Sequence, residues 1–393
     1  MNITIAIIGA GIGGLGFAAL AAAAGHRVQL FERFAQAAPV GSGLVVQPVG
    51  LAVLDRIGAG AEARSLGTPL HRMLGHAQGL RRPVLDVSYR ADAAGLAMHR
   101  ASLFHVLWQA AMASGAEVIT GATVSAAPLH GSGRRVVLAD GRSFGPFDLL
   151  VDASGAGSVL SPLRPRSLGY GAIWGTVPWP EATPLPPDQL RQRYRGAAQM
   201  MGVLPVGQMP QDPQRRAAVF WSLPLGQIAA WQAAPLDDWK VEAERLWPEV
   251  APFLTTITRH DQMTPARYSH GSLRRPYATA LAFLGDAAHR ASPQLGQGAN
   301  MALLDAMALA QALRMQPLAD ALPAYAAMRR WHLRLYQGMS ALFTPMYQSG
   351  STLLPPMRDH LLAPFSRAPL VRGILTRLVS GDLIPPLAGQ IFP

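Results

Sequence analysis

The chain opens on a pattern that few folds can accommodate. Residues 3–8 (ITIAII) are apolar and rich in β-branched side chains, which predicts a buried parallel strand. They lead into Gly9-Ala10-Gly11-Ile12-Gly13-Gly14, then an alanine-rich stretch that predicts a helix to about Gly25. A second short strand, Val28–Phe31, ends at Glu32. Strand, glycine turn, helix, strand and acid in this order predict the first βαβ unit of a dinucleotide-binding domain. Gly9 serves the tight turn, Gly11 lets backbone approach a pyrophosphate, and Gly14 lets the helix pack on the strand, with Gly13 between them. The helix N-terminus presents unpaired N–H groups to phosphate. Glu32 stands where a carboxylate accepts from both ribose hydroxyls, which disfavours a 2′-phosphate and points to FAD or NAD.

Composition narrows the class. Half of the 393 residues are apolar and 15% are charged, so most of the chain is ordered, in two or three packed subdomains. The absence of cysteine excludes disulfide frameworks, thiolate nucleophiles and dithiol redox chemistry. Lys240 is the single lysine against 33 arginines, a poor basis for Schiff-base chemistry. The net charge of +11 suits anionic molecules or surfaces, but the arginines are dispersed and no nucleic-acid-binding pattern occurs. Met1 is followed directly by the first strand, with no basic leader, and no run reaches the roughly 18 apolar residues of a membrane span. A cytoplasmic protein is the expectation.

A second fingerprint separates FAD from NAD. Residues 279–286 (TALAFLGD) predict a strand ending at Gly285-Asp286. Ala287-Ala288-His289 follow, then Pro293, the run Gly296-Gln297-Gly298-Ala299-Asn300, and an apolar helix. This order resembles the second flavin fingerprint of the single-component aromatic hydroxylases, the para-hydroxybenzoate hydroxylase-like FAD monooxygenases. The residues agree with that role. Asp286 can accept from ribityl hydroxyls. The 296–300 loop aims amides at a flavin pyrimidine, whose reduced form is anionic. Pro293 stiffens the loop beside the ring, and His289 reads best as a structural histidine.

Other segments fit the resemblance. Gly41-Ser42-Gly43-Leu44-Val45-Val46-Gln47-Pro48 is similar to the stretch that passes the flavin ring, which places Gly43 and Gln47 beside it. Met98–Leu103 is similar to the helix start whose arginine, here Arg100, contacts the ribityl–phosphate region. Arg33 flanks the adenosine. Residues 117–124 look like the strand passing the adenine, with Val124 at its end. The third family motif departs at Leu149–Leu160: the family's Asp falls on Ser154 and its usual Arg on Leu160, while Gly155 and Ser158 remain. Tolerated drift in a binding loop and altered NAD(P)H handling, or reduction by a partner, both fit.

The resemblance implies an α/β fold. It has a Rossmann-like, GR2-type FAD domain (1–70, 97–165 and 276–320), an inserted antiparallel-sheet substrate domain (71–96 and 166–275), and a helical C-terminal region (321–393). Within the insertion, Tyr170, Trp174, Trp179, Met200, Met201, Phe220 and Trp221 suggest an apolar pocket or, one by one, ordinary core. His71, His76, Tyr89, Tyr194, His260 and Tyr268 are its candidate polar groups. The arginine-and-apolar C-terminal segment either packs on the substrate domain or lies on a membrane surface. A second copy of the chain is an admissible partner.

The implied activity is insertion of one oxygen atom of O2 into an apolar, aromatic or polycyclic small molecule through a flavin C4a-hydroperoxide. NAD(P)H serves as a transient co-substrate, and no metal is involved. The rivals on this fold are a halogenase, a reductase and a non-catalytic FAD-binding protein. Lys240 lies far from the first domain, against the halogenase, and Ser154 keeps the last open. Without a second GxGxxG, two-dinucleotide monooxygenases are disfavoured.

Overall fold

The computed structural model describes residues 2–35 and 43–388. Gly41 and Ser42 of the ring-passing segment lie outside the described residues. The architecture is the expected α/β one. The strands Leu281–Phe283, Leu149–Asp152, Thr4–Ile8, Arg27–Phe31 and Glu117–Ile119 lie side by side in parallel, with Tyr277–Ala278 antiparallel at one edge. Ile5, Ile7, Leu149 and Val151 are fully buried, because helices cover the sheet. The helix Ile12–Ala23 buries Gly13, Gly14 and Gly16. A Cβ on Gly13 or Gly16 would meet Ala302 or Leu303 of the helix Gly298–Met315, so small residues set the helix–helix distance.

The stretch 117–124 is not one strand. Glu117–Ile119 extends the parallel sheet, whereas Val124–Ala126 joins a separate four-stranded sheet by pairing with Gly133–Leu138. Gly121, at φ +61°, turns the chain between them.

An eight-stranded sheet runs in the order His289–Arg290, Met263–Ser272, Arg166–Pro178, Asp212–Pro224, Gln199–Met209, Gln189–Arg195, Arg72–Ala77 and Leu85–Ser88. Strand alternation sorts its side chains onto two faces. Ile173, Val177, Met201, Val203, Val219, Trp221 and Leu223 share an outer core with Trp231, Trp239, Trp247 and Phe253 of the helices packed outside. Met200, Phe220 and Tyr194 point the other way, with Trp174 and Tyr347 against them. The inner face also meets the first domain: Leu204, Val206 and Ala218 pack with Val45 and Ala97.

The helix Leu318–Tyr347 and the shorter turns to Ser380 close over this inner face. Arg358 fixes the closure. It is buried, donates to the carbonyls of Met346 (2.8 Å) and Gly196 (3.2 Å), pairs with Asp359 (2.6 Å), and lies 5.0 Å from the ring centres of both Tyr194 and Tyr347.

Candidate functional site

The glycine positions at the carboxyl ends of the parallel strands divide into two kinds. Some are closed by packing. Gly9 sits at φ +97°, and a Cβ there would stand 2.8 Å from the Ala153 carbonyl oxygen; one on Gly14 would collide with the Gly9 carbonyl. Others open outward. At Gly11 the nearest atom is 3.8 Å from a notional Cβ, and at Gly155 and Gly298 there is none within 4 Å. Gly11 precedes the helix Ile12–Ala23 and Gly298 begins the helix Gly298–Met315; neither N-terminus has a side-chain cap or a first-turn acid. Two bare helix ends with open space above their backbone suit phosphate and an anionic ring edge.

Glu32 is buried at the end of the second strand. Its Oε2 accepts from Ala10 N (2.8 Å) and its Oε1 from Phe34 N (3.0 Å). Each oxygen keeps a second acceptor site for a ribose hydroxyl. The Arg33 guanidinium lies over the Phe34 ring at 4.7 Å. Val124 has its side chain in the apolar cluster of Phe31 and Phe147, which leaves its backbone as the part able to face a ligand.

The second fingerprint is held by residues that reach across the chain. Asn300, fully buried, donates to the carbonyls of Val45 (3.1 Å) and Gly296 (3.0 Å) and accepts from Gln47 N (2.8 Å). It clamps the strand Gly43–Val46 to the 296–300 loop. Gln297 Nε2 donates to the Val379 carbonyl (2.9 Å), and its Oε1 is buried without a partner. Gln47 is also fully buried. The Tyr89 hydroxyl donates to Gln47 Oε1 at 2.6 Å, which leaves Gln47 Nε2 a buried donor with no partner. That nitrogen stands 3.4 Å from where a Gly296 Cβ would be, at the mouth of the loop. Burial pushes the Tyr89 phenol up, so it stays the donor. Pro293 is exposed and starts the turn Pro293–Leu295; Ser292 before it is anchored to Ser340 (3.0 Å) and Thr344 of the long helix. Ala299 is half-buried and packs against the main core of the first domain.

Asp286 is exposed at the opening, and Arg100 at the start of the helix Arg100–Ala113 lies within electrostatic reach of both Asp286 and Tyr268. Gly285 sits at φ +55°, and its N–H donates to Asp305 Oδ2 (3.0 Å). His289 Nε2 meets the same oxygen at 2.6 Å, which is the structural role read from the sequence. Asp286→Ala will purify with flavin reduced at least tenfold relative to the wild type. The FAD-to-protein absorbance ratio measures this, and full occupancy in the variant would remove Asp286 from the site.

At the third loop the carboxylate is displaced rather than lost. Asp152, fully buried at the end of its strand, accepts from Ser154 N (3.0 Å), Ser154 Oγ (2.6 Å) and Ser158 Oγ (2.5 Å). Ser154 is the lid of this arrangement. Arg290 ties the loop to the second fingerprint by donating to the carbonyls of Asp286 (3.0 Å) and Ala156 (2.8 Å).

The inner face of the large sheet adds Trp174, whose ring lies 4.4 Å from that of Phe220 and tilted by 30°, and Tyr268. The Trp174 indole donates to the Tyr268 oxygen (2.9 Å), so the phenolic hydrogen points elsewhere. Burial raises the Tyr268 phenol to about 12, against the pull of that bond and of Arg100. His99 is buried between Thr176 and Ala101 N; burial, then Arg216 and Arg100, bring it down to about 4, so it is neutral. The other candidates part company. Met201 and Trp221 are outer-face core, and Trp179 packs on Phe253 at 5.2 Å with the same cluster. His260 lies edge-on to Trp231 at 4.8 Å on the outer side. His76 alternates outward beside Arg191 and Arg193, and burial with those charges lowers its pKa.

Comparison with known proteins now decides the class. The family model described as FAD binding domain matches residues 2–330. The chain belongs to this FAD-binding family. It is 28% identical over 337 residues to a 3-amino-4-hydroxybenzoate 2-monooxygenase of Streptomyces cremeus, covering 80% of each chain. It is 28% identical over 349 residues to an FAD-dependent urate hydroxylase of Klebsiella oxytoca, covering 82% of this chain and 85% of the relative. The structure of HpxO from Klebsiella pneumoniae, complexed with FAD and uric acid, superposes with a TM-score of 0.80 at 24% identity, over 97% of this chain and 98% of that one. FAD is the cofactor, and the protein is an FAD-dependent monooxygenase. Lys240, the lysine a halogenase reading needs, pairs with Asp237 at 3.5 Å on an outer-face helix of the FAD-dependent monooxygenase. Among the described residues no helix is long and apolar enough to cross a membrane, and no acid–histidine cluster is fit to hold a metal.

Proposed function

We propose that this flavoprotein hydroxylates an apolar, aromatic small molecule lodged between the inner sheet face and the 293–300 loop, with NAD(P)H as reductant. The observation that carries the reading is Gln47 Nε2. It is a buried donor without a partner, held by Tyr89, at the edge of a backbone cradle opened by Gly296 and Gly298. An orphaned buried donor is costly unless a ligand acceptor satisfies it. Gly11, Glu32 and Arg33 would hold the adenosine and pyrophosphate, with Gly9 and Gly14 letting the turn and helix pack beneath them. Arg100, Asp286, Gly285 and Ser154 would line the ribityl path. Gly43, Gln47, Pro293 and the 296–300 loop would face the ring. When bound, FAD supplies two-electron reduction and activation of O2.

The chain's own residues do the rest. Trp174, Phe220 and Met200 exclude water from the space above the ring and receive an apolar substrate. Tyr268, protonated up to about 12, offers its hydroxyl hydrogen to a polar substituent of that substrate. The bare N-terminus of the helix Gly298–Met315 favours negative charge at the ring edge. The net reaction balances as substrate-H, O2, NAD(P)H and a proton giving substrate-OH, water and NAD(P)+. The relatives named above as an aminohydroxybenzoate monooxygenase and a urate hydroxylase support an aromatic substrate.

Anaerobic mixing of the flavin-loaded protein with NADH or NADPH tests the reading. The 450 nm flavin band should bleach, faster with an aromatic ligand present, and return on admitting O2. A band unchanged by either nucleotide, with ligand added, would overturn NAD(P)H as the direct reductant.

A further inference from the structure

Seven of the twelve large apolar side chains that are exposed among the described residues fall between residues 331 and 374. The others are scattered singly on separate elements, which is ordinary for a protein surface. Five of the seven fall within 22 residues of chain: Leu353 (76% exposed), Leu361 (63%), Phe365 (63%), Leu370 (78%) and Ile374 (43%). Leu361 and Phe365 are four apart in the helical run Leu354–Phe365, and Leu370 and Ile374 four apart in the helix Pro369–Ser380. Residues so spaced are neighbours on one stripe of a helix.

Each helix also has a buried side. Pro355, Arg358 and Ala363 are buried in the first; in the second Val379 is buried half a turn round from Leu370, and the stripe itself runs into the buried Leu378 at the helix end. Ala363 packs with Tyr194, Met200 and Phe220, and Val379 with Val45 and Leu204. These helices therefore roof the inner sheet face, while among the described residues nothing covers the apolar stripes on their outer sides.

The acids beside the stripe are paired with arginines: Asp86, on the strand that takes a hydrogen bond from Thr376 of the second helix, with Arg72 (2.8 Å), and Asp382, just past that helix, with Arg90 (2.9 Å). Further arginines are left over. Arg367 donates to the Pro83 carbonyl (3.1 Å), which brings the exposed Arg81-Arg82 turn beside the link between the two helices. Arg372 is exposed on the second helix. The acid of residues 353–377, Asp359, is spent on Arg358 at 2.6 Å. A two-fold pairing of this face with itself would set Arg367 and Arg372 against their copies, while the nearby acids Asp86 and Asp382 are already paired with Arg72 and Arg90. An anionic bilayer complements both properties: apolar side chains at acyl depth, arginines at the headgroups.

We propose that this roof docks the protein on anionic phospholipid membrane, and that its apolar substrate enters from the bilayer through the roof. The proposal rests on the hydroxylase reading for its substrate class, but the docking itself does not depend on that reading. Flotation of the FAD-loaded protein with vesicles tests it, using phosphatidylcholine alone or with 30% phosphatidylglycerol. The wild type should bind the anionic vesicles at least tenfold more tightly, and 0.5 M salt should weaken binding as expected for exposed charges. F365E/L370E should lose binding tenfold or more, and R367Q/R372Q should lose the preference for anionic lipid. Both variants should keep the wild-type flavin content and the wild-type rate of anaerobic bleaching, measured in the same samples. That separates failure of docking from failure of the flavin chemistry. Equal binding by wild type and F365E/L370E, or no binding by the wild type, overturns the proposal. So does a wild-type dimer that F365E/L370E splits in light scattering, since the face would then join two copies.

Discussion

Asp305→Ala should cost about 3–5 kcal/mol of stability, as expected for removing one partner of a buried charge network. Asp305 is 1% exposed in the middle of an apolar helix. Its Oδ1 accepts from Arg329 Nε (2.8 Å); its Oδ2 takes His289 Nε2 (2.6 Å) and Gly285 N (3.0 Å). Arg329 passes the connection on to His332 Nδ1 (3.2 Å) and the Pro386 carbonyl (2.9 Å), and His332 Nε2 donates to the Gly381 carbonyl (2.7 Å). Removing the carboxylate strands a buried guanidinium and frees the Gly285 turn that presents Asp286. Flavin content should therefore fall together with the urea midpoint, and Asp305→Asn, which keeps one acceptor, should fall less far. An unfolding free energy within about 1 kcal/mol of wild type would show that the network is replaceable by water.

The same residue gives a pH signature. Burial acts to raise the Asp305 carboxyl, but the charges of His289 and Arg329, with the hydrogen bonds from both, outweigh it and hold it at about 2, below the ordinary 3.8. A carboxyl lowered in the folded state contributes stability that is complete above the unfolded value and is lost as pH falls toward the folded one. The stability difference between wild type and Asp305→Asn should accordingly be flat above about pH 4 and shrink between pH 4 and pH 2.

How much of this was legible in the sequence follows from what each residue's role depends on. The glycine turns and the placement of Glu32 were legible because their geometry is local: a turn, a helix end and a strand end within 30 residues. Asn300 and Gln297 were found by motif, but their clamping of Val45, Gln47 and Val379 needs partners about 80 to 255 residues away, which spacing does not encode. The same limit hid Asp305, although a lone acid in the apolar run MALLDAMALA was a signal that a buried carboxylate needs a cation. The aromatic insertion could not be sorted from composition. Trp221 and Phe220 are adjacent, and only register and the sheet's two different neighbours put one in the outer core and the other on the inner face. Residues 117–124 read as one strand because β-branched residues continue through it, whereas the turn at Gly121 decides the pairing.

Asp152→Ala should be the second most damaging change, because it removes one acceptor from three donors at once. The main chain of Asp152 is held between Ile8 and Phe283 in the parallel sheet, so its carboxylate is placed where three strands end. Hydrogen bonds to a charged group contribute about 1.5–3 kcal/mol each, and leaving the two serine hydroxyls and the Ser154 amide without an acceptor should cost on the order of 3 kcal/mol or more. Ser154→Ala removes one donor and leaves the Ser154 amide and Ser158 Oγ bound to Asp152, so it should cost less, about 1.5 kcal/mol. The double exchange Asp152→Gly with Ser154→Asp puts the carboxylate back at the position the resembled motif gives it. It should recover most of the flavin content lost in Asp152→Ala, since Ser158 remains as donor. Flavin content and urea midpoints of the three variants decide the matter. Should Ser154→Ala prove as damaging as Asp152→Ala, the serine hydroxyl rather than the buried carboxylate organises the loop. Should the double exchange bind FAD and also bleach faster with NAD(P)H than the wild type, Ser154 marks a slowed reduction rather than tolerated drift.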